Sequence, residues 1–207
     1  RAQRLVHLAE VGAGDGLGEE RVQVWTGGLL GSSAGGSYVV VAAAAEPKVA
    51  CVISEGGIGD GYRWARTART PWQFRNYIRK IEEDKARRVQ TGTSQAIPNN
   101  EFMVFNPEEA DAWANIPKYF PQMAQHQLRT PLEVCERWLE FKPEAVVAQI
   151  SPRPILFLGE ETSDLVPPEE VPLLYEKAKE PKRLVMAPAS IVPTRQLFAL
   201  TGFSAVS

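Results

Sequence analysis

Cysteine and histidine are scarce in this chain of 207 residues, which contains two of each. Cys51 lies in an apolar run and Cys135 in a helical pattern, so their spacing fits neither a disulfide framework nor a metal site. We therefore interpret both cysteines as small buried hydrophobic residues rather than as reactive groups.

The chain also has little excess charge of either sign, with a formal net charge of -2. Its lysines and arginines are scattered, which leaves a nucleic acid no basic surface to bind. The longest uncharged stretch, Val22 to Ala45, is interrupted by five glycines and is too broken for a membrane span of about 20 continuous apolar residues. We expect a soluble protein that binds neither nucleic acid nor membrane. The first residues form no signal segment and report no compartment, so a cytoplasmic location is only the default expectation.

What the chain does contain is the composition of a globular domain, with 44% hydrophobic and 23% charged residues. Helical patterns occur at Ala34–Ala45 and Pro168–Lys179. Apolar and β-branched runs predict four strands, at Arg21–Trp25, Lys48–Ser54, Arg153–Gly159 and Lys182–Pro188. This alternation predicts an α/β fold with a mostly parallel sheet flanked by helices and joined by right-handed crossovers.

The middle of the chain has a different character, because aromatic residues alternate with arginines between Trp64 and Arg88. Such a mixture can bind single-stranded nucleic acid. Acidic residues interrupt it, however, and Pro71 can open an amphipathic helix that runs to Arg88, so we favour a helix with a solvated charged face. From Thr91 to Thr130 no strand pattern is evident. We therefore expect a core part over 1–60, a helical cap insertion over 61–140 and a second core part over 141–207.

One short motif indicates chemistry. Gly31-Ser32-Ser33-Ala34-Gly35 matches G-x-S-x-G, in which small residues surround a serine on a sharp, strained turn between a strand and a helix. In this interpretation Ser33 attacks a carbonyl and the N–H of Ala34 helps to bind the resulting oxyanion. The alternative is a flexible glycine-rich turn over Gly27–Gly36, because the motif alone is common by chance.

A carboxylate follows a later predicted strand. Asp164 comes after Arg153–Gly159, so the chain order of serine and then acid is kept. We expect Asp164 to face the same cleft as Ser33, because both would leave the carboxyl ends of parallel strands. Glu160 or Glu161 could replace it. Taken alone, Asp164 is better interpreted as an exposed loop carboxylate or as a helix cap ahead of Pro167 and Pro168.

These segments together resemble a known superfamily. The resembling stretches are Gly31–Gly36, Glu46–Ala50, Ile150–Glu160, Asp164–Pro168 and Pro181–Val185. They are similar to the α/β-hydrolase superfamily, and more closely to its Xaa-Pro dipeptidyl-peptidase-like and related esterase branch. The resemblance implies a serine hydrolase that cleaves a small-molecule or peptide ester or amide through an acyl-enzyme on Ser33, with Asp164 as the acid and without a metal or organic cofactor.

The resemblance is incomplete in three places. The superfamily's catalytic histidine follows the last core strand, where this chain reads Pro188–Pro193 with no histidine; His7 and His126 lie elsewhere, and His126 is a weak candidate for the base. The strands and the oxyanion loop that precede the nucleophile do not fit into the residues before Ser33. Thr26–Leu30 also looks like an insertion before the elbow. A non-catalytic or truncated α/β-hydrolase-like scaffold is therefore the alternative function.

In the α/β-hydrolase superfamily, the strand that corresponds to Arg21–Trp25 pairs with a further strand, for which this sequence shows no pattern. An unpaired strand edge recruits other chains. We therefore expect self-association through an open edge of the sheet.

Overall fold

The computed structural model describes residues 27–107, 110, 111, 115, 129–163 and 165–188. They form two compact units. The first contains the described residues up to Gly59, the segment Pro143–Glu161 and the described residues from Val171 onward. The second contains the described residues of Asp60–Lys142 and of Thr162–Glu170.

The first unit is built on a four-stranded sheet in which every neighbouring pair is parallel. The strands are β1 (Gly28–Ser32), β2 (Cys51–Glu55), β5 (Ile155–Glu160) and β6 (Lys182–Ala187). Their order in the sheet is β1-β2-β5-β6, so each strand adds to the same side of the one before it. The predicted α/β class with a mostly parallel sheet is confirmed.

Helices α1 (Ala34–Ala45) and α6 (Glu170–Lys177) occupy the β1–β2 and β5–β6 connections. Alanine has the best helix propensity, and α1 ends just before Pro47, which disfavours helical backbone at the residue preceding it. Two 3₁₀ turns, Pro143–Ala145 and Val147–Ile150, lead into β5. The core of this unit joins side chains from the four strands, both helices and the second 3₁₀ turn. Its fully buried members include Val40, Val52, Val147, Ile150, Phe157 and Leu174.

The second unit contains α2 (Gly61–Thr67), α3 (Pro71–Thr91), α4 (Asn99–Phe102) and α5 (Leu132–Glu140) among its described helices. The long helix α3 begins with a capping box between Thr70 and Gln73 and ends at Gly92, whose φ is 71°. The predicted amphipathic helix is therefore confirmed. Among the described residues, no helix combines the length and the apolar composition that a membrane crossing requires.

The core of the second unit is aromatic. Trp64, Phe102 and Trp138 pack edge to face, with ring centroids 5.7–5.9 Å apart. Arg69 is buried beside them; its guanidinium lies 4.1 Å from the centroid of the Tyr77 ring and donates to the carbonyls of residues 101 and 102. The arginines of this segment therefore help to hold the unit together.

Two expectations about strands are wrong. The stretch in which no strand was expected holds a short antiparallel pair, β3 (Ala96–Pro98) and β4 (Arg129–Pro131). Three residues are too few to show an alternating pattern. The first sheet strand is Gly28–Ser32, inside the expected glycine-rich turn, whereas Arg21–Trp25 lies outside the described residues.

Neighbouring atoms come very close to β1 at two of its glycines. A Cβ at Gly28 would lie 2.6 Å from the Cys51 sulfur, and a Cβ at Gly31 would overlap the Gly35 carbonyl. Because β1 extends to Ser32, it leads directly into the serine motif, so the interpretation of Thr26–Leu30 as an insertion is also wrong.

The expectation for cysteine holds for Cys135, which is fully buried, whereas Cys51 at the start of β2 is only half-buried.

Candidate active site

Ser33 occupies a sharp turn between β1 and α1. Its φ is 56° and its ψ is -126°, and it is the only non-glycine residue with a positive φ in the described part of the chain. Side chains rarely adopt this region, and such strain costs about 1–3 kcal/mol. Ser33 is exposed, and its hydroxyl does not cap α1. The expected tight strand-to-helix turn is therefore present, with an exposed serine at its tip.

Glycines make this turn sterically possible, but not in the pattern that the motif suggests. Gly31 is required, since a Cβ there would overlap the Gly35 backbone. A Cβ at Gly35 itself would meet no atom within 4 Å, so a side chain would fit there. Gly36 lies outside the motif, yet a Cβ on it would overlap the Glu55 carbonyl. The turn therefore depends on Gly31 and Gly36.

Ala34 is the first residue of α1. The first N–H groups of a helix have no acceptor within the helix, and they lie at the positive end of its dipole. The first turn of α1 contains no acidic residue, and the Gly36 N–H closes it by donating to the Ser33 carbonyl at 2.9 Å. The N–H of Ala34 is thus suited to an oxyanion formed next to Ser33.

The carboxyl ends of the four parallel strands meet at one edge of the sheet, and Ser33 lies there. The Ser33 N–H donates to the Glu55 carbonyl at 2.8 Å, and Glu55 is the last residue of β2. Glu160 ends β5, one strand further along. Neighbouring strands are about 5 Å apart, so both glutamates start within about 10 Å of the strand that carries Ser33. The sequence interpretation missed Glu55, although an acidic residue at the end of an apolar run is a usable signal.

Asp164 lies outside the described residues, as do His7 and His126. The expectation that Asp164 faces the same cleft as Ser33 therefore stays a prediction. The residues on either side of Asp164 are held in place: the Leu165 carbonyl accepts from the Trp64 indole at 2.8 Å, and the Val166 N–H donates to the Ser163 hydroxyl at 3.2 Å.

The described residues contain no cluster of three or more histidine, cysteine or acidic side chains that could hold a metal ion. The clearest pKa changes lie in the second unit. Burial raises the pKa of the Cys135 thiol, as expected of a cysteine that packs as a hydrophobic residue.

Comparison with known proteins shows which solved structures share the fold of this chain. No protein-family model matches the chain. An uncharacterized 31.7 kDa protein of Escherichia coli, from the traX-finO intergenic region, is 25% identical over 155 residues, which are 72% of this chain and 50% of that protein. The chain therefore spans about half the length of the curated relative that it matches.

Solved structures share the fold at low sequence identity. An alpha/beta hydrolase, GrgF from Penicillium, has a TM-score of 0.56 and 19% identity over 84% of this chain and 60% of its own. DcsB, solved in complex with its substrate analogue, has a TM-score of 0.64 and 16% identity over 87% and 65%. A monoacylglycerol lipase of Paleococcus ferrophilus has a TM-score of 0.54 and 16% identity over 86% and 67%. The chain thus has an α/β-hydrolase fold, with a mostly parallel sheet flanked by helices.

Proposed function

We propose that this chain is a serine hydrolase of the α/β-hydrolase type, which cleaves an ester or amide through an acyl-enzyme on Ser33. The backbone of Ser33 carries the proposal. A strained non-glycine residue persists only where the surrounding structure holds it in place, and such residues cluster at active sites. Here the strained residue is an exposed serine at the carboxyl edge of a parallel sheet, where α/β proteins bind ligands.

In the proposed reaction the Ser33 Oγ attacks the substrate carbonyl carbon while a base takes its proton. The carbonyl oxygen becomes an oxyanion and accepts a hydrogen bond from the Ala34 N–H. The leaving alcohol or amine takes that proton from the base as its bond breaks, and water then hydrolyses the acyl-enzyme. Asp164 is the proposed acid that orients the base, with Glu160 or Glu161 as alternatives.

The mechanism requires a base that accepts the proton of the Ser33 hydroxyl. The segment after β6, Pro188–Pro193, contains no histidine, and His126 is the candidate that the chain offers instead. A serine hydroxyl without a base is a poor nucleophile. This observation favours the second candidate function, an α/β-hydrolase-like scaffold that lacks catalysis.

The remaining features are proposals of finer detail. We propose that the helical insertion between β2 and β5 acts as a cap over the active site. The substrate is proposed to be a small molecule or a peptide, with the Xaa-Pro dipeptidyl-peptidase-like specificity as the narrower hypothesis. Self-association through β1 is proposed as well, because β2 is the only partner of β1 among the described strands.

Turnover of short p-nitrophenyl esters tests the proposed function. Residues 188–193 contain no histidine, so turnover by the unmodified chain requires another base such as His126; it should be slow and should fall to background in a Ser33→Ala control. Ile191→His would place an imidazole after β6, and its turnover should be lost again when Ser33→Ala is added. Turnover that survives Ser33→Ala would contradict the proposal, and background rates in all variants would favour the scaffold.

A further inference from the structure

Two short segments of similar sequence are in contact at the turn that carries Ser33. One is Ser33-Ala-Gly-Gly-Ser37, and the other is Ser54-Glu-Gly-Gly-Ile58 at the end of β2. Their second glycines are in direct backbone contact: a Cβ at Gly57 would lie 2.9 Å from the Gly36 carbonyl carbon, and a Cβ at Gly36 would lie 3.0 Å from the Gly57 nitrogen. Only a glycine pair permits so close an approach.

Three hydrogen bonds join the two segments. The Ser33 N–H donates to the Glu55 carbonyl at 2.8 Å. The Ser54 hydroxyl donates to the Gly36 carbonyl at 2.9 Å, and the Ile58 N–H donates to the Ser37 hydroxyl at 2.8 Å. The turn that carries Ser33 is therefore fixed through its own amide and through one serine hydroxyl from each segment.

The two serines that make the outer bonds are hidden from solvent. Ser37 and Ser54 are both 0% exposed, so neither side chain is accessible to a substrate. Any effect they have on chemistry acts through the backbone that carries Ser33. We propose that Ser37 and Ser54 are positioning residues, which hold Ser33 in its strained conformation by locking the first turn of α1 to the end of β2.

The two hydroxyls differ in what their removal would leave behind. Ile58 is 3% exposed, so its N–H loses its acceptor in a Ser37→Ala variant and becomes a buried unsatisfied donor. In Ser54→Ala, the Gly36 carbonyl loses one donor but still lies in a helix, where carbonyls accept from the amide four residues later. Ser37→Ala should therefore loosen the turn more than Ser54→Ala.

The catalytic meaning of this inference rests on the proposed function, whereas the locking of the turn does not. The experiment therefore uses two readouts on the full chain: amide hydrogen exchange at Ser33 and Ile58, followed by NMR, and the rate of labelling of Ser33 by a fluorophosphonate. The variants are Ser37→Ala, Ser54→Ala and their combination. Ser37→Thr keeps the acceptor oxygen, and Asp84→Asn disturbs buried hydrogen bonds in the second unit that involve none of these residues.

We expect exchange at Ser33 to rise and labelling to slow by about three- to tenfold per hydroxyl removed, the loss of one hydrogen bond. The probe concentration at half-maximal rate should stay unchanged. Ser37→Thr should restore both readouts, and Asp84→Asn should move neither. Unchanged exchange at Ser33 in both single variants, or the same change in Asp84→Asn, would overturn the inference. If the unmodified chain is not labelled, the proposed function fails, and exchange still decides whether the serines lock the turn.

Discussion

The Ser33 amide donates a 2.8 Å hydrogen bond to the carbonyl of Glu55, the last residue of β2. This bond joins the turn after β1 to the neighbouring strand at the carboxyl edge of the sheet. Ser33 is also the only non-glycine residue with a positive φ among the described residues, so the bond lies at a strained point of the backbone. The conformation of Ser33 therefore depends on contacts with β2 as well as on the G-x-S-x-G motif.

The two glycines after Ala34 should respond differently to substitution. Gly36→Ala would push a methyl group against the Glu55 carbonyl, and overpacking of this kind costs about 1–3 kcal/mol. Gly35→Ala should be neutral or stabilising by up to about 1 kcal/mol, because its Cβ would meet no atom within 4 Å and alanine favours a helix. Urea unfolding of both variants checks this difference. Equal stabilities would contradict the close approach of Gly36 to β2.

Asp84 should make the second unit sensitive to acid. It is 1% exposed. Burial alone would raise its pKa, but hydrogen bonds from the Gln95 N–H, Arg87 and Ser94 outweigh this and lower it. A lowered pKa means that the ionised carboxylate stabilises the fold above the unfolded value near 4, and that this contribution is lost as the pH falls through the folded pKa.

Asp84→Asn should therefore flatten the loss of stability between about pH 5 and pH 2, where the unmodified chain destabilises. At neutral pH the variant should be less stable by about 1–3 kcal/mol, since hydrogen bonds to a charged group are lost. Thermal unfolding as a function of pH measures both effects. If stability falls as steeply with decreasing pH in the variant as in the unmodified chain, other carboxylates control the sensitivity to acid.

The ion pair between Arg63 and Glu170 should contribute more to stability than an exposed pair. Arg63 donates two hydrogen bonds to Glu170, at 2.7 and 2.9 Å, and the Glu170 side chain is 1% exposed. Arg63→Met leaves a buried carboxylate without its guanidinium, which costs about 3 kcal/mol. Arg137→Ala is the control, because its pair with Glu133 is exposed and is worth less than about 1 kcal/mol. Similar losses in the two variants would contradict this account.

The sequence predicts some elements well because their signals are local. The apolar runs around Val52 and Phe157 predict buried parallel strands, and Pro71 predicts the start of α3, which ends at Thr91, three residues beyond the expected Arg88. The motif at Ser33 likewise predicts the strand-to-helix turn. In each case neighbouring residues carry the information.

Other features could not be predicted because they depend on residues that are distant in the chain. Gly28 weakens the strand signal of β1, and its neighbour Cys51 lies beside it only because β1 and β2 pair. The roles of Ser37 and Ser54 follow from hydrogen bonds across 21 and 18 residues, which no local pattern shows. Glu55 is adjacent to Ser33 only because β1 and β2 pair.

The site of fluorophosphonate attachment tests the central claim, that the strained turn makes Ser33 the nucleophile. Ser32 is the matched internal control, because it is also exposed but ends β1 instead of lying in the turn. Peptide mapping by mass spectrometry after labelling should place the adduct on Ser33, with loss of the adduct in Ser33→Ala and retention in Ser32→Ala. An adduct shared equally by the two serines, or one that survives Ser33→Ala, would contradict the account.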